Sequence, residues 1–362
     1  MELEIVARTT GGLFKYQAWP TVVRAANGTL YVASSGHRLG HVCPFGKNLL
    51  YVSHDEGKTW SAPTIANDTC MDDRDSGLCL WGDGNLYLTW FDLPITHYEA
   101  RAQNTQSHNA KMRTGLAQAA VELWKTLPEE QMQPGGYARL SRDGGKTWGD
   151  IIKVPLTSPH GPVMTPQGSL LYIGKECWWG QGMEAKAIYA MESTDDGLTW
   201  SVLSQLPCPD GFVWTQIHEA HGIRLADGTA LAVMRVHDDT LPGGITLYFT
   251  RSTDGGRTWT PAQRMTDLIG APGHLMEHSS GAIIMTYGRR VERMGQYARI
   301  SWDKGLTWSE DIPVSPEPPS ADHGYPSTVE LSDGSLYTVF YQKYPGDDYC
   351  SILASRWTLP EK

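Results

Sequence analysis

Five near-copies of one octapeptide punctuate the 362-residue chain: SHDEGKTW (53–60), SRDGGKTW (141–148), STDDGLTW (193–200), STDGGRTW (252–259) and SWDKGLTW (301–308). They share the pattern S-x-D-x-G-x-T-W, and their first serines lie 88, 52, 59 and 49 residues apart. Self-similarity at such a period is the mark of a propeller or a similar array. Each copy reads as a hairpin turn. The Asp accepts hydrogen bonds from backbone N–H groups of its own turn. The Gly supplies a positive φ, and the Trp gives a small unit a large apolar anchor. A calcium loop is excluded, because no run of alternating ligands ends in a glutamate twelve positions on.

Each octapeptide closes a unit that opens with another strand pair around a Gly turn. The openings are TVVRAANGTLYVASSG (21–36), GLCLWGDGNLYLTWF (77–91), GPVMTPQGSLLYIGK (161–175), HGIRLADGTALAVMRV (221–236) and GHLMEHSSGAIIMTYG (273–288). A sixth unit runs YPSTVELSDGSLYTVFY (325–341) and YCSILASRW (349–357), without an octapeptide. Alternating apolar residues and the turn chemistry mark strands throughout. Six units of about four strands predict an all-β fold, a six-bladed β-propeller forming one domain over residues 1–362. The last unit lacks an outer strand, and the N-terminal LEIVAR is its natural donor, which would leave no open edge.

The long first spacing comes from an insertion at about 92–135. Within it TGLAQAAVELWKTL (114–127) predicts a helix with Leu116, Ala120, Trp124 and Leu127 on one face, and Ala119 and Leu123 beside it. Its expected place is over one mouth of the propeller, as a lid, a homo-oligomer contact or a packed surface helix.

A formal net charge of −10 argues against nucleic acid as the main partner. No apolar run approaches a membrane span. The start, MELEIVARTTGG, lacks the layout of a secretory signal. Six scattered cysteines without C-x-x-C spacing read as free thiols in a reducing compartment, so a cytoplasmic location is expected.

The five octapeptides resemble the Asp boxes of the sialidase (neuraminidase) superfamily, and the resemblance covers nearly the whole chain. It implies an exo-glycosidase that releases a terminal acidic sugar, first of all a sialic acid, from a glycoconjugate or oligosaccharide. In that family a tyrosine replaces the usual carboxylate nucleophile, a glutamate serves as its base and an aspartate protonates the leaving group. Three arginines clamp the substrate carboxylate. By position Tyr325 resembles the nucleophile, Glu219 the base and Arg235 a clamp arginine. Arg290 or Arg289, in TYGRR, resembles a second clamp arginine. Arg38, in SSGHRLGH, matches the arginine that follows the second strand. No metal or organic cofactor is implied.

The first blade departs from the family. Ala18 stands where its Arg-Ile-Pro arginine would be, and Gln342 where the glutamate orienting that arginine would be. The loop LGHVCPFGKNLLYV, where the acid/base aspartate belongs, holds no carboxylate. The neighbouring DDRDSG (72–77) offers Arg74 as the replacement clamp and Asp75 as proton donor, with Asp72 and Asp73 behind it. His160 adds a further substrate-binding option, as do His37, His41, His218, His221, His274 and His323 near strand starts. His218 and His221, three apart on a strand, should face opposite ways. Trp178, Trp179 and Trp214 could line a sugar subsite.

Three readings follow. The first is the retaining sialidase-like hydrolase. The second is a glycosidase or lyase of the same fold acting on a uronate or rhamnose terminus, with histidine as acid or base. The third is a carbohydrate-binding propeller without catalysis; charge concentrated at inner-strand starts speaks against it.

Overall fold

The structure is a computed structural model that describes residues 2–82, 84–102, 108–177, 183–265, 269–270 and 272–361. Six antiparallel sheets stand around a central axis. Blade one runs from the axis outward as Tyr16–Arg24, Leu30–Arg38, Lys47–Ser53 and Thr64–Asn67. Blade two is Arg74–Trp81, Asn85–Asp92, Gly135–Ser141 and Ile152–Val154. Blade four is Ile217–Arg224, Ala230–His237, Ile245–Ser252 and Gln263–Arg264. Blade five is Gly273–Glu277, Ile283–Arg289, Gly295–Ser301 and Ile312–Pro313. In blade three the inner position is split between Leu156–Thr157 and Val163–Met164, both paired with Leu170–Glu176; Ile188–Ser193 and Ser201–Gln205 complete it.

Blade six consists of Gly324–Glu330, Leu336–Lys343 and Cys350–Trp357, and its outer strand is the N-terminal Glu4–Ala7. The expected closure is therefore the observed one: Glu4 pairs with Ala354 and Ile5 with Leu353.

The five Asp boxes share one hydrogen-bond pattern. In the first, Asp55 accepts from the Thr59 backbone N–H (2.8 Å), the Thr59 hydroxyl (2.6 Å) and the Ser53 hydroxyl (2.8 Å). Ser53 in turn accepts from the Gly57 N–H. Asp143, Asp195, Asp254 and Asp303 repeat the arrangement. These donors hold Asp55, Asp143 and Asp303 down at about 2, so each carboxylate is a turn lock.

The boxes also join blades. A Cβ on Gly57 would lie 2.8 Å from Tyr337 of blade six, and one on Gly197 would lie 2.4 Å from Tyr87 of blade two. Trp60 packs on Tyr337, Trp200 on Tyr87, and Trp308 on Phe249 of blade four. Each of these boxes thus clasps the blade before its own, and the sequence repeat is a repeat of inter-blade seams.

The insertion holds two helices, Ile95–Ala102 and His108–Trp124. The second begins earlier than the expected 114 and ends at Trp124. Ala117, Ala120, Val121 and Trp124 are buried, Leu116 and Leu127 half-buried, and Ala119 and Leu123 exposed. The helices pack on Met71, Val42, Phe45 and Cys70, so they brace the rim between blades one and two.

Candidate active site

Four inner strands begin with the same irregularity. Trp19, Asp75, Glu219 and Tyr325 each take a left-handed backbone (φ 54°, 50°, 42° and 55°) where the pairing with the second strand slips. Non-glycine residues adopt that conformation only when their surroundings impose it, and such positions gather at functional sites. The four side chains gather together: Tyr325 meets Glu219, Trp19 meets Tyr325, and Asp75 and Glu219 line one cavity. Three of the four are the residues expected to carry the chemistry.

Tyr325 donates its hydroxyl to Glu219 Oε1 at 2.5 Å, and Arg235 Nη1 donates to Glu219 Oε2 at 2.6 Å. One carboxylate therefore joins all three. Burial outweighs other influences on Tyr325, and with Glu219 and Asp75 nearby it keeps the phenol protonated. Glu219 is buried too, yet Arg235 and the Tyr325 hydroxyl hold it below the ordinary carboxylate value. A protonated phenol thus faces an ionised base along a short hydrogen bond.

Arg290 is the member of the TYGRR pair that reaches this site. Its Nε donates to the His323 carbonyl (2.9 Å) and its Nη2 to the Tyr341 hydroxyl (2.9 Å), with the guanidinium 5.9 Å from the Tyr325 ring centroid. Arg289 turns away to Asp311 and the Glu292 carbonyl. Arg74 lies against the ring of Trp19 at 4.6 Å and donates to the His41 carbonyl at 3.3 Å.

Asp75 is buried, and its Oδ1 has no hydrogen-bond partner among the described residues. Burial pushes its pKa up to about 7, Arg74 opposing and Glu219 assisting. It lines a cavity of about 370 Å³ with Glu219, Phe91, Leu93, Pro159 and Lys175, between blades two, three and four. A carboxyl that still holds a proton near neutrality, on the wall of a cavity, can act as a proton donor.

Two expected substrate contacts have other work. Arg38 is fully buried and bound to both Asp72 oxygens (2.5 and 3.0 Å), to Ser35 and to the His41 carbonyl. It is a brace under the site, because its Nη donors are consumed by the protein and no part of its side chain is exposed. Asp72, bound also by Tyr98 of the insertion at 2.6 Å, is taken up in the same network. Asp73 accepts from the Thr69 N–H and hydroxyl.

His160 sits in the channel, with its Nδ1 against the Thr21 hydroxyl and its ring 5.6 and 5.0 Å from those of His221 and His274. The Nδ1 atoms of His221 and His274 accept backbone N–H groups of Leu275 and Thr328, from the next blade. The histidine excess near strand starts is thus largely stitching between blades. Among the described residues, no group of three His, Cys, Asp or Glu side chains is arranged to hold a metal ion.

The alternation expected between His218 and His221 is broken by the slip at Glu219, which sets them opposite Arg235 and Val233, two residues apart on the next strand. His218 packs on His237 at 4.7 Å and meets Lys175 Nζ at 3.3 Å. Trp214 is half-buried between the cores of blades three and four rather than standing free as a sugar platform. Trp178 and Trp179 lie outside the described residues. Ala18 and Gln342, which replace the family's ion pair, are both fully buried.

Three further residues border the site. Trp19 contacts Tyr325 (6.3 Å) and Tyr341 (6.0 Å). Tyr341 receives Arg290, and His41 stands edge-on to Trp19 at 5.0 Å. His41 is among the histidine options near strand starts; Trp19 adjoins Ala18 in sequence, and that neighbourhood is its signal.

A closed ring of six blades, five of them carrying an Asp box, with a Tyr–Glu–Arg cluster, defines a sialidase-superfamily propeller. The chain belongs to the BNR repeat-like domain family, whose model matches residues 156–345, more than half its length. A BNR/Asp-box repeat is matched at residues 51–62. An exo-alpha-sialidase of Aspergillus fumigatus is 29% identical over 129 residues, which make up 35% of this chain and 28% of that protein. The chain therefore matches under a third of that relative's length. A protein of unknown function from Dyadobacter fermentans superposes with a TM-score of 0.75 at 20% identity, covering 99% of this chain and 98% of the other. The NanB sialidase of Streptococcus pneumoniae gives a TM-score of 0.67 at 13% identity, over 99% of this chain and 70% of that one. These two likenesses are of fold.

Proposed function

We propose that this protein is a retaining exo-glycosidase that releases a terminal acidic sugar, a sialic acid or a related 2-keto-3-deoxy sugar, from an oligosaccharide or glycoconjugate. The observation that carries the reading is the Tyr325–Glu219–Arg235 relay at 2.5 and 2.6 Å.

In this mechanism Tyr325 Oη attacks the anomeric carbon while its proton passes to Glu219. The glycosidic bond breaks, and the leaving oxygen takes the proton of Asp75. A covalent aryl glycoside, with the sugar's anomeric carbon on Tyr325 Oη, results. Water then attacks the same carbon and gives its proton to Asp75, and the departing phenolate recovers its own from Glu219. A neutral phenol suits this site, since an anionic nucleophile would be repelled by a substrate that carries a carboxylate at the reacting carbon. Arg235, Arg290 and Arg74 supply the forked donors for that carboxylate.

The test is fluorophore release from 4-methylumbelliferyl N-acetylneuraminic acid by wild type and Tyr325→Phe. Turnover that vanishes in the variant supports the reading. A folded wild type without turnover overturns the choice of sugar and moves the search to uronate and rhamnose glycosides.

A further inference from the structure

The carboxylate clamp above has no cation from blade one, where Ala18 leaves nothing to reach the substrate. A pair that the mechanism leaves unused stands at that corner. His41, on the loop after Leu30–Arg38, holds Asp322 of blade six, Nδ1 to Oδ1 at 3.1 Å. The Tyr16 hydroxyl lies 3.0 Å from His41 Nδ1 and 3.0 Å from Asp322 Oδ1.

Hydrogen counting fixes the tautomer. An ionised Asp322 has no proton and Tyr16 has one, so a bare Nδ1 would set two lone pairs against each other at 3.1 Å. Nδ1 therefore carries its hydrogen toward Asp322, and Nε2 is the atom that gains or loses a proton. Nε2 has no hydrogen-bond partner among the described residues, and 45% of the His41 side chain is exposed. Neutral, it presents a lone pair that repels a carboxylate. Protonated, it presents a charged N–H donor.

We propose that His41, oriented by Asp322, is a proton-gated cation of the substrate clamp, its imidazolium Nε2–H binding the sugar carboxylate where blade one offers no arginine. The inference rests on the acidic-sugar reading and adds a condition to it: tight binding requires a proton.

The groups around His41 set the direction of the effect. Asp322 and Tyr16 meet its Nδ1, Arg38 and Arg74 donate to its backbone carbonyl, and Arg290 stands across the site. Cys350 donates to the Asp322 carbonyl at 3.1 Å. Burial lowers the His41 pKa most, Asp322 opposes it, and Arg74 and Arg290 lower it again, leaving it below the ordinary imidazole value. A bound carboxylate offsets the two arginines and raises it. Binding therefore takes up a proton. Affinity is full below the free-protein value and is lost as pH rises through the higher, bound-state value.

The experiment is calorimetric titration of N-acetylneuraminic acid, and in parallel D-glucuronic acid, into wild type, His41→Gln and Asp322→Asn. Paired buffers of different ionisation enthalpy count protons. Wild type should take up a fraction of a proton near pH 6.5, an ordinary imidazole value, and bind roughly tenfold or more weakly at about pH 8 than at about pH 5. In His41→Gln the uptake should fall to the part that Asp75, itself held up to about 7, contributes, and in Asp322→Asn the pH step of His41 should move to lower pH. Undiminished uptake in His41→Gln overturns the proposal while leaving the hydrolase reading intact. Binding with His41-dependent uptake, but no turnover of the fluorogenic substrate, supports the cation site and overturns the sialoside as the hydrolase's substrate. A wild type that binds neither acid overturns both.

Discussion

Arg74 lays its guanidinium on the ring of Trp19, 4.6 Å from the centroid, and so brings a blade-two cation to the corner that blade one leaves empty. Trp19 is itself fixed by burial and by its left-handed backbone. A planar guanidinium can stack and still present forked donors, whereas a lysine ammonium cannot do both. Arg74→Lys should therefore keep the charge yet raise KM for the acidic sugar glycoside about tenfold or more, the worth of one charged hydrogen bond. A KM within twofold of wild type would remove Arg74 from the clamp.

Arg38 stands near the same ring, at 4.8 Å, and predicts the opposite phenotype. Its pair with Asp72 is wholly buried, so Arg38→Met leaves an ionised carboxylate with only the Tyr98 hydroxyl and a 3.4 Å contact to Arg74. Loss of one partner of such a pair costs about 3–5 kcal/mol. Denaturant unfolding should show that loss. Tyr98→Phe, which removes the third donor to Asp72, should cost about 1.5–3 kcal/mol. A stable Arg38→Met protein with impaired KM alone would restore Arg38 to the substrate site.

Asp75 gives the rate its pH dependence. Its proton is held up to about 7 by burial, and the form that donates is the protonated one. The rate constant kcat should then be full on the acid side and decline as pH rises through about 7 or, with an anionic substrate bound, somewhat above it. Asp75→Asn should remove that limb and lower kcat about 10²–10⁴-fold, the usual worth of general acid catalysis. An alkaline limb that persists in the variant would assign the proton to another group.

The fold was legible because each Asp box encodes its turn locally: Ser, Asp, Gly and Thr close the hydrogen bonds within eight residues, and Trp marks the seam. The relay was legible for a different reason. A glutamate and a tyrosine opening otherwise apolar strands, as Glu219 and Tyr325 do, need a partner, and the ring of blades supplies one. What stayed hidden depended on long-range pairing. Arg38 matches a clamp arginine in its surrounding sequence, and nothing nearby says that Asp72 will consume its donors. His160 opens its blade like a site residue, yet the split inner strand of blade three drops it into the channel. His41 and Asp322, 281 residues apart, show no relation until the ring closes.

Asp73 and Asp92 offer a test of the scaffold rather than the chemistry. Both are buried, and burial pushes Asp73 up to about 7 and Asp92 well above the ordinary carboxylate value. Asp92 Oδ1 has no hydrogen-bond partner among the described residues. For a group whose folded-state pKa is raised, the stabilising contribution is complete below the unfolded value of about 3.9 and is lost as pH rises through the folded one. Wild type therefore pays for buried negative charge on the alkaline side of that window. Asp92→Asn keeps the shape and removes one of the charges, so above pH 8 it should unfold at a higher temperature than wild type. The gap should narrow as pH falls and close only below about 4, where Asp73 and Asp92 are protonated in the unfolded chain as well as in the folded protein. Subtracting the two melting curves at each pH isolates this pair from the buried channel histidines, whose lowered pKa values act in the opposite direction over part of the same range. A variant less stable than wild type at every pH would show that the Asp92 carboxylate is held by a partner rather than stranded.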